Sequence, residues 1–367
     1  MKLSHVLIFI GFIFYGCVDS FDLKVDRSEP ILVVDGMITN EPGPYTVRLF
    51  ISSNVGDILA FANPSTAAEV KLVDDQGQTE TLKEIKKGIY ITSENGMQGQ
   101  VGRSYHIEIK TRGGLLFSSI PEVLKPAGEI DSLYFEFKEQ EVIQDGTAVP
   151  NNGFNVYLNA KGNGEQSSLR WKWEGQYDIL THPELNVSKN TGGPGPAFLA
   201  TPIPCSNYVS DDGISIRSVG ECQCCYCYIK QKDTFPVLSD GQYSSEENYS
   251  RIKLAFIPAT GRYFYGKYHF EVQQLSLSEN TALFWKFVRS QQGGSNIFQP
   301  PISIVKSNIV GDGKNQALGI FSACGVAKKS IWISRDNIPY TISDFTYNES
   351  CLALDSTSTT NKPSFWY

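Results

Sequence analysis

Side-chain character alternates along most of the chain with the period of a β-strand. Tyr45, Val47, Leu49 and Ile51 fall on one side, with Thr46, Arg48 and Phe50 on the other. Ala68, Val70 and Leu72 alternate with Glu69 and Lys71, and Asp74-Asp75-Gln76-Gly77 then supplies a turn. Gly88-Ile89-Tyr90 opens another strand. Tyr105, Ile107 and Ile109 alternate with His106, Glu108 and Lys110 before Gly113-Gly114 turns the chain into Leu115–Phe117. Strands recurring roughly every 10–15 residues, each with one face to bury, predict a β-sandwich over residues 31–125, closing near Pro121–Pro126.

The pattern continues in a larger β-rich part over residues 126–367, opening at Ile130-Asp131-Ser132-Leu133-Tyr134. Phe154, Val156 and Leu158 share one face of a strand. Leu169, Trp171 and Trp173 share another, alternating with Arg170 and Lys172. The two indoles lie about 7 Å apart along that strand. They read either as core or as an exposed aromatic platform for a sugar or peptide. Further strands are predicted at Ile252–Phe256, Tyr268–Val272, Ile302–Val305, Ala317–Ser322 and Ile331–Ile333. One short helix interrupts them. Ser276-Leu277-Ser278-Glu279 has capping-box spacing, Leu283, Phe284, Phe287 and Val288 form an apolar stripe, and Gly293-Gly294 ends it. The fold class is therefore all-β, a sandwich followed by a larger β-rich domain with one short helix.

The N-terminus follows a different pattern. Lys2 precedes ten residues, Val6 to Tyr15, that are apolar but for Gly11, and Gly16-Cys17 follows. A basic start, a short apolar stretch and a small residue before the cut are the parts of a secretory signal, here residues 1–16. Ten residues of helix span roughly 15 Å, half of a bilayer core of about 30 Å, so the segment cannot cross a membrane. Phe14-Tyr15-Gly16-Cys17 reads as a lipobox, with Cys17 as the lipidated residue. Acyl chains bury CH₂ groups at roughly 0.8 kcal/mol each, so several together hold a protein to a bilayer. Residues 17–30 then form a polar tether ending at Pro30. Asp19 and Asp22 just after the cysteine are similar to the surface-export signal of Bacteroidetes lipoproteins. The expected location is the outer membrane, lipid-anchored and facing the cell surface.

Composition agrees with sheets. Charged residues are only 19% and aromatics 12%, with Gly and Tyr plentiful. The net charge is −7 with no basic run, which argues against nucleic acid as a partner. Besides Cys17, seven cysteines lie in the second half: Cys205, Cys222, Cys224, Cys225, Cys227, Cys324 and Cys351. In an oxidising envelope disulfides are the expectation, and the odd count leaves at least one thiol over. Cys222, Cys224, Cys225 and Cys227 fall within six residues and could instead hold a soft metal such as Cu(I) or zinc. Adjacent strand residues point to opposite faces, so convergence would need a tight turn. Pairing of each outside the cluster is favoured, with Cys205, Cys324 and Cys351 as candidate partners, and with no metal and no cofactor.

Catalytic groupings are not evident. The histidines His5, His106, His182 and His269 are scattered, and neither a His-Glu-x-x-His nor a Gly-x-Ser-x-Gly motif occurs. Asp211-Asp212-Gly213 and Gly311-Asp312-Gly313 lack the spaced acids of a calcium loop and read as turns. Glu174 and Asp178 are the only mild acid candidates for a glycan- or peptide-cleaving enzyme.

Several stretches together resemble a family of Bacteroidetes lipoproteins known as a domain of unknown function, DUF4249. They are Leu32-Val33-Val34-Asp35-Gly36-Met37-Ile38-Thr39-Asn40-Glu41-Pro42-Gly43-Pro44-Tyr45, Gly88-Ile89-Tyr90, Gly102-Arg103-Ser104-Tyr105, Ile130-Asp131-Ser132 and Arg170-Trp171-Lys172-Trp173. The tail from Cys351 to Lys362-Pro363-Ser364-Phe365-Trp366 is similar to the family's Cys-rich close. That tail usually carries a second Cys about three residues on. Leu354 stands there, so the resemblance implies a more distant partner for Cys351. It also implies an N-terminal immunoglobulin- or transthyretin-like sandwich, no catalytic residues, and partnership with a TonB-dependent outer-membrane β-barrel transporter. The expected function is a non-enzymatic accessory that captures ligand for such a transporter. A structural or assembly subunit of a larger outer-membrane complex is the alternative.

Overall fold

The computed structural model describes residues 31–52, 63–163, 168–192, 195–239, 244–245, 248–292, 307–313 and 315–367. The signal, Cys17 and the tether lie outside the described residues, as do Ile302–Val305 and Gly293-Gly294. The principal strands of the first part are β1 (Leu32–Thr39), β2 (Thr46–Ile51), β3 (Ala67–Asp74), β4 (Ile89–Ile91), β5 (Ser104–Thr111) and β6 (Leu116–Ser119). The second part holds β7 (Glu129–Lys138), β8 (Gly153–Lys161), β9 (Ser168–Leu180), β10 (Tyr226–Lys232), β11 (Asn248–Pro258) and β12 (Lys267–Leu277). Helix α1 (Glu279–Gln292) follows, then β13 (Ile309–Gly311), β14 (Ala317–Cys324) and β15 (Val326–Ser334). The protein is mainly β with a single α-helix among the described residues.

Two sheets make the first unit. In one, β2 lies between β1 and β4; in the other, β5 lies between β3 and β6. The alternation read from sequence places Val34 and Leu49 of one sheet and Val70 and Ile107 of the other in one shared core, all fully buried. Removing such side chains from water is the main term that holds the sheets face to face.

The edge of this unit comes from far along the chain. Strand β14 runs parallel to β1 from Leu32 opposite Ala317 to Thr39 opposite Cys324, and β13 pairs with β6. Residues 309–324, which sequence order assigns to the part beyond residue 126, therefore complete the first sandwich. Gly319 permits the close approach. Its φ is +108°, and a Cβ there would collide with the Val34 carbonyl oxygen.

The second unit stacks the sheet β7-β8-β11 on the sheet β10-β9-β12-β15. Phe154, Val156 and Leu158 of β8 meet Trp171, Phe270 and Val272 in one core. Strand β14 passes into β15 through Gly325, so one stretch of chain serves both units. Gly325 N–H donates to the Lys125 carbonyl, fixing the crossing at the point where the first unit ends.

Helix α1 forms where its sequence predicts it but packs differently. Its cap is Ser278, whose Oγ accepts from Thr281 N–H at 3.1 Å. Ser276 instead donates to the Lys125 carbonyl at 2.6 Å, so the expected box from Ser276 to Glu279 is not the one used. The buried helix residues are Thr281 and Ala282, and Leu283 of the expected stripe is 43% exposed. The helix rests on β12 and β14 by its first turn, with Trp285 packed against Leu275, Leu277 and Cys324.

Candidate functional site: a cleft between the two units

The tryptophan strand does not form a platform. Trp171 is fully buried, donates from Nε1 to Gln274 Oε1 at 2.8 Å, and meets the Tyr249 ring edge-on. Trp173 is half-buried and stacks on Phe270 with ring centroids 5.1 Å apart. The cause is ordinary: the face that carries them is the face the opposing sheet covers.

The cysteines pair as three disulfides: Cys205–Cys224, Cys222–Cys225 and Cys227–Cys351. One pairing, Cys222–Cys225, corrects the expectation that every cluster cysteine pairs outside the cluster: the chain turns before β10 and brings these two together. Cys351 reaches back 124 residues to Cys227, the distant partner that Leu354 requires. Cys324 is left free and buried, and burial pushes its thiol up to about 12. It is therefore a neutral, unreactive side chain in the folded protein.

The acid candidates do not converge. Asp178 is buried and accepts from Tyr226 O–H at 2.6 Å and from Lys267 N–H at 3.0 Å. Glu174 faces Lys232 at the surface. Four residues of strand separate the two acids by roughly 13 Å. Asp212 accepts from the N–H groups of Ile214 and Ser215, which hold its carboxyl down to about 2; that is turn chemistry, as is the Asp312–Asn315 bond. His106 sits near Glu108, His182 contacts Glu184, and His269 is sandwiched between Trp332 and Phe365. Among the described residues no group of three or more His, Cys, Asp or Glu could hold a metal ion. No described helix is long and apolar enough to cross a membrane.

What the fold does build is a cleft of about 440 Å³ where the outer face of the first sandwich meets the second unit. Strands β1, β2 and β14 supply one wall, β9 and β12 the other, and Trp285 of α1 closes an end. The volume falls in the range of small-molecule sites. Met37, Leu275, Leu277 and Trp285 give it an apolar lining.

Its charges are arranged by depth. At the rim, Arg48 pairs with Asp35 at 3.3 Å and Lys328 with Glu41 at 2.5 Å. Deeper, Arg170 has only 11% of its side chain exposed. Its Nη2 meets the nearly buried Asp233 at 3.0 Å, and its guanidinium lies 3.6 Å from the centroid of the Trp285 ring. Its Nε is buried without a partner. Beside it Lys172 is half-buried and, among the described residues, has no ion-pair or hydrogen-bond partner.

The family model described as a domain of unknown function (DUF4249) matches residues 18–330. The chain belongs to the DUF4249 family. The matched span of this DUF4249 protein takes in the first unit, most of the second and the whole cleft; the end of β15, Cys351 and the tail over β10 fall beyond it. No curated protein and no solved structure matches the chain.

The sequence of this DUF4249 member left the tryptophans of β9 either as core or as a ligand platform, and no role was read for the two cations that alternate with them. Arg170 and Lys172 are those residues. The available signal was slight: two cations on one face of a strand otherwise rich in apolar side chains, with Glu174 as the acid at i+2 from Lys172 on that face. Such a face lies on solvent or on a polar cavity, and here it lies on the cavity. Trp285 and Gln273 gave no comparable signal.

Proposed function

We propose that this chain is a non-enzymatic, lipid-anchored outer-membrane protein. In this reading it is held through Cys17, faces the cell surface, and captures a ligand for a TonB-dependent β-barrel transporter. The observation that carries the reading is the cleft. It combines apolar side chains, an arginine stacked on Trp285 and a lysine that has no ion-pair or hydrogen-bond partner among the described residues. Those are the parts of a site that holds a molecule. The N-terminal signal pattern, the polar tether and the family membership support the location and the partner class.

A second reading, a structural or assembly subunit of a larger outer-membrane complex, draws on one region. Residues 183–225 form an arm of two small hairpins braced by Cys205–Cys224 and Cys222–Cys225. Phe198 and Ile214 stand 60% and 69% exposed on it, as they would in a docking element. Affinity capture of the full-length protein from detergent-solubilised outer membrane tests the partner. The transporter reading expects a β-barrel of that class to co-purify; repeated recovery without any barrel protein contradicts it.

A further inference from the structure

We infer that the cleft between the two units binds a small organic carboxylate with an apolar or aromatic body, and that Lys172 is the residue that receives the carboxylate. The inference rests on the ligand-capture reading and names the ligand class for it.

The argument is one of charge placement. The acids of the cleft, Asp35 and Glu41, stand at the rim with 55% and 36% of their side chains exposed. Each is matched there by a cation, so the rim is locally neutral. Inside, Arg170 is matched by Asp233. That leaves Lys172 as the charge of the cleft with no described counter-ion, in a cavity lined besides by apolar, hydroxyl and amide side chains. A half-buried lysine lining a cavity without a described partner has N–H donors to offer, and an arriving carboxylate takes them up through a charge-assisted hydrogen bond.

The rest of the cavity sets the ligand's body. Trp285 is braced by the Arg170 guanidinium on one face. Leu275 and Leu277 line the wall contributed by β12, and Met37 the wall opposite. Side chains of this kind favour an alkyl or aryl group, and methionine adapts to its shape. Gln273 lines the same wall and can both donate and accept, which suits an amide or hydroxyl on the ligand. A phosphate or sulfate would bring a doubly charged group to one lysine without a described counter-ion. A neutral sugar would leave Lys172 unanswered.

The test compares two probes that differ only in charge, N-acetyl-L-phenylalanine and N-acetyl-L-phenylalaninamide, by calorimetric titration into the full chain. The expected result is preference for the acid by about tenfold or more, the scale of one charge-assisted bond. Lys172→Gln is expected to remove the preference and Lys172→Arg to keep it. The Lys172 side chain makes no described hydrogen bond or ion pair, so unchanged thermal unfolding of the variants shows that the fold is intact. Equal binding of acid and amide overturns the carboxylate assignment, as does a preference that survives Lys172→Gln. Failure of both probes to bind at millimolar concentration also overturns it. Loss of the transporter partner in the capture experiment would leave this result standing, so the two readings fail separately.

Discussion

Glu122 shows how a single group can be set against its surroundings. It lies on the short strand Glu122–Val123 beside β5, is 2% exposed, and accepts from Asn308 Nδ2 at 3.1 Å. Burial pushes its carboxyl above the ordinary carboxylate range, and hydrogen bonds from Ser278 and Asn308 offset only part of that. A group whose folded-state pKa is raised contributes its stability below the ordinary carboxyl value and loses it as pH rises through the folded value. Glu122→Gln is therefore expected to gain on the wild type by on the order of 1 kcal/mol at pH 7.5 and little at pH 4. Urea unfolding at the two pH values measures this, and a difference independent of pH would contradict it. At this scale the sequence was only partly legible. Alternation identified the buried face of β9 and hence both tryptophans, but not what the opposite face met. Nothing local in the sequence separates an arginine over solvent from Arg170 held between Asp233 and Trp285.

Disulfides act at the scale of elements, and their loops differ widely. Cys227–Cys351 ties β10 to the tail across 124 residues, while Cys222–Cys225 spans three. In the chain-entropy picture the long loop contributes about 5 kcal/mol and the short one about 2. Replacing both members of the long bridge by serine is expected to cost more than twice what replacing Cys222 and Cys225 costs. Guanidinium midpoints of the two double variants give the comparison, and equal losses would refute the loop argument. The tail also crosses β10 through reciprocal hydrogen bonds between Tyr228 and Thr359, so part of the effect will be local. The sequence led to the expectation of disulfides and of one thiol left over, and both are present. It could not say which cysteine stays single, because Cys324 is set apart by lying on β14, away from the arm. The helix was legible in position and type. Its orientation was not, since docking by the first turn onto β12 and β14 overrode the apolar stripe.

The whole molecule depends on the crossing of its two units. Strand β14 closes the first sandwich, β15 extends the second sheet, and the cleft exists because that short link at Gly325 holds the two outer faces together. The all-β class and the order of most strands could be read from period-two alternation. The parallel partnership of β1 with β14 could not, because periodicity carries a strand's faces and not its neighbour. The site shares that limit: its walls come from residues 35–48, 170–172, 273–285 and 320–326, which only the fold brings together. The central claim, capture of a ligand on behalf of a transporter, is tested most directly in cells lacking the chain. Growth is compared across single nutrient sources, with the wild type or Lys172→Gln supplied back. The account predicts a defect confined to one class of nutrient, restored by the wild type and not by Lys172→Gln. A general envelope defect restored equally by both would contradict it.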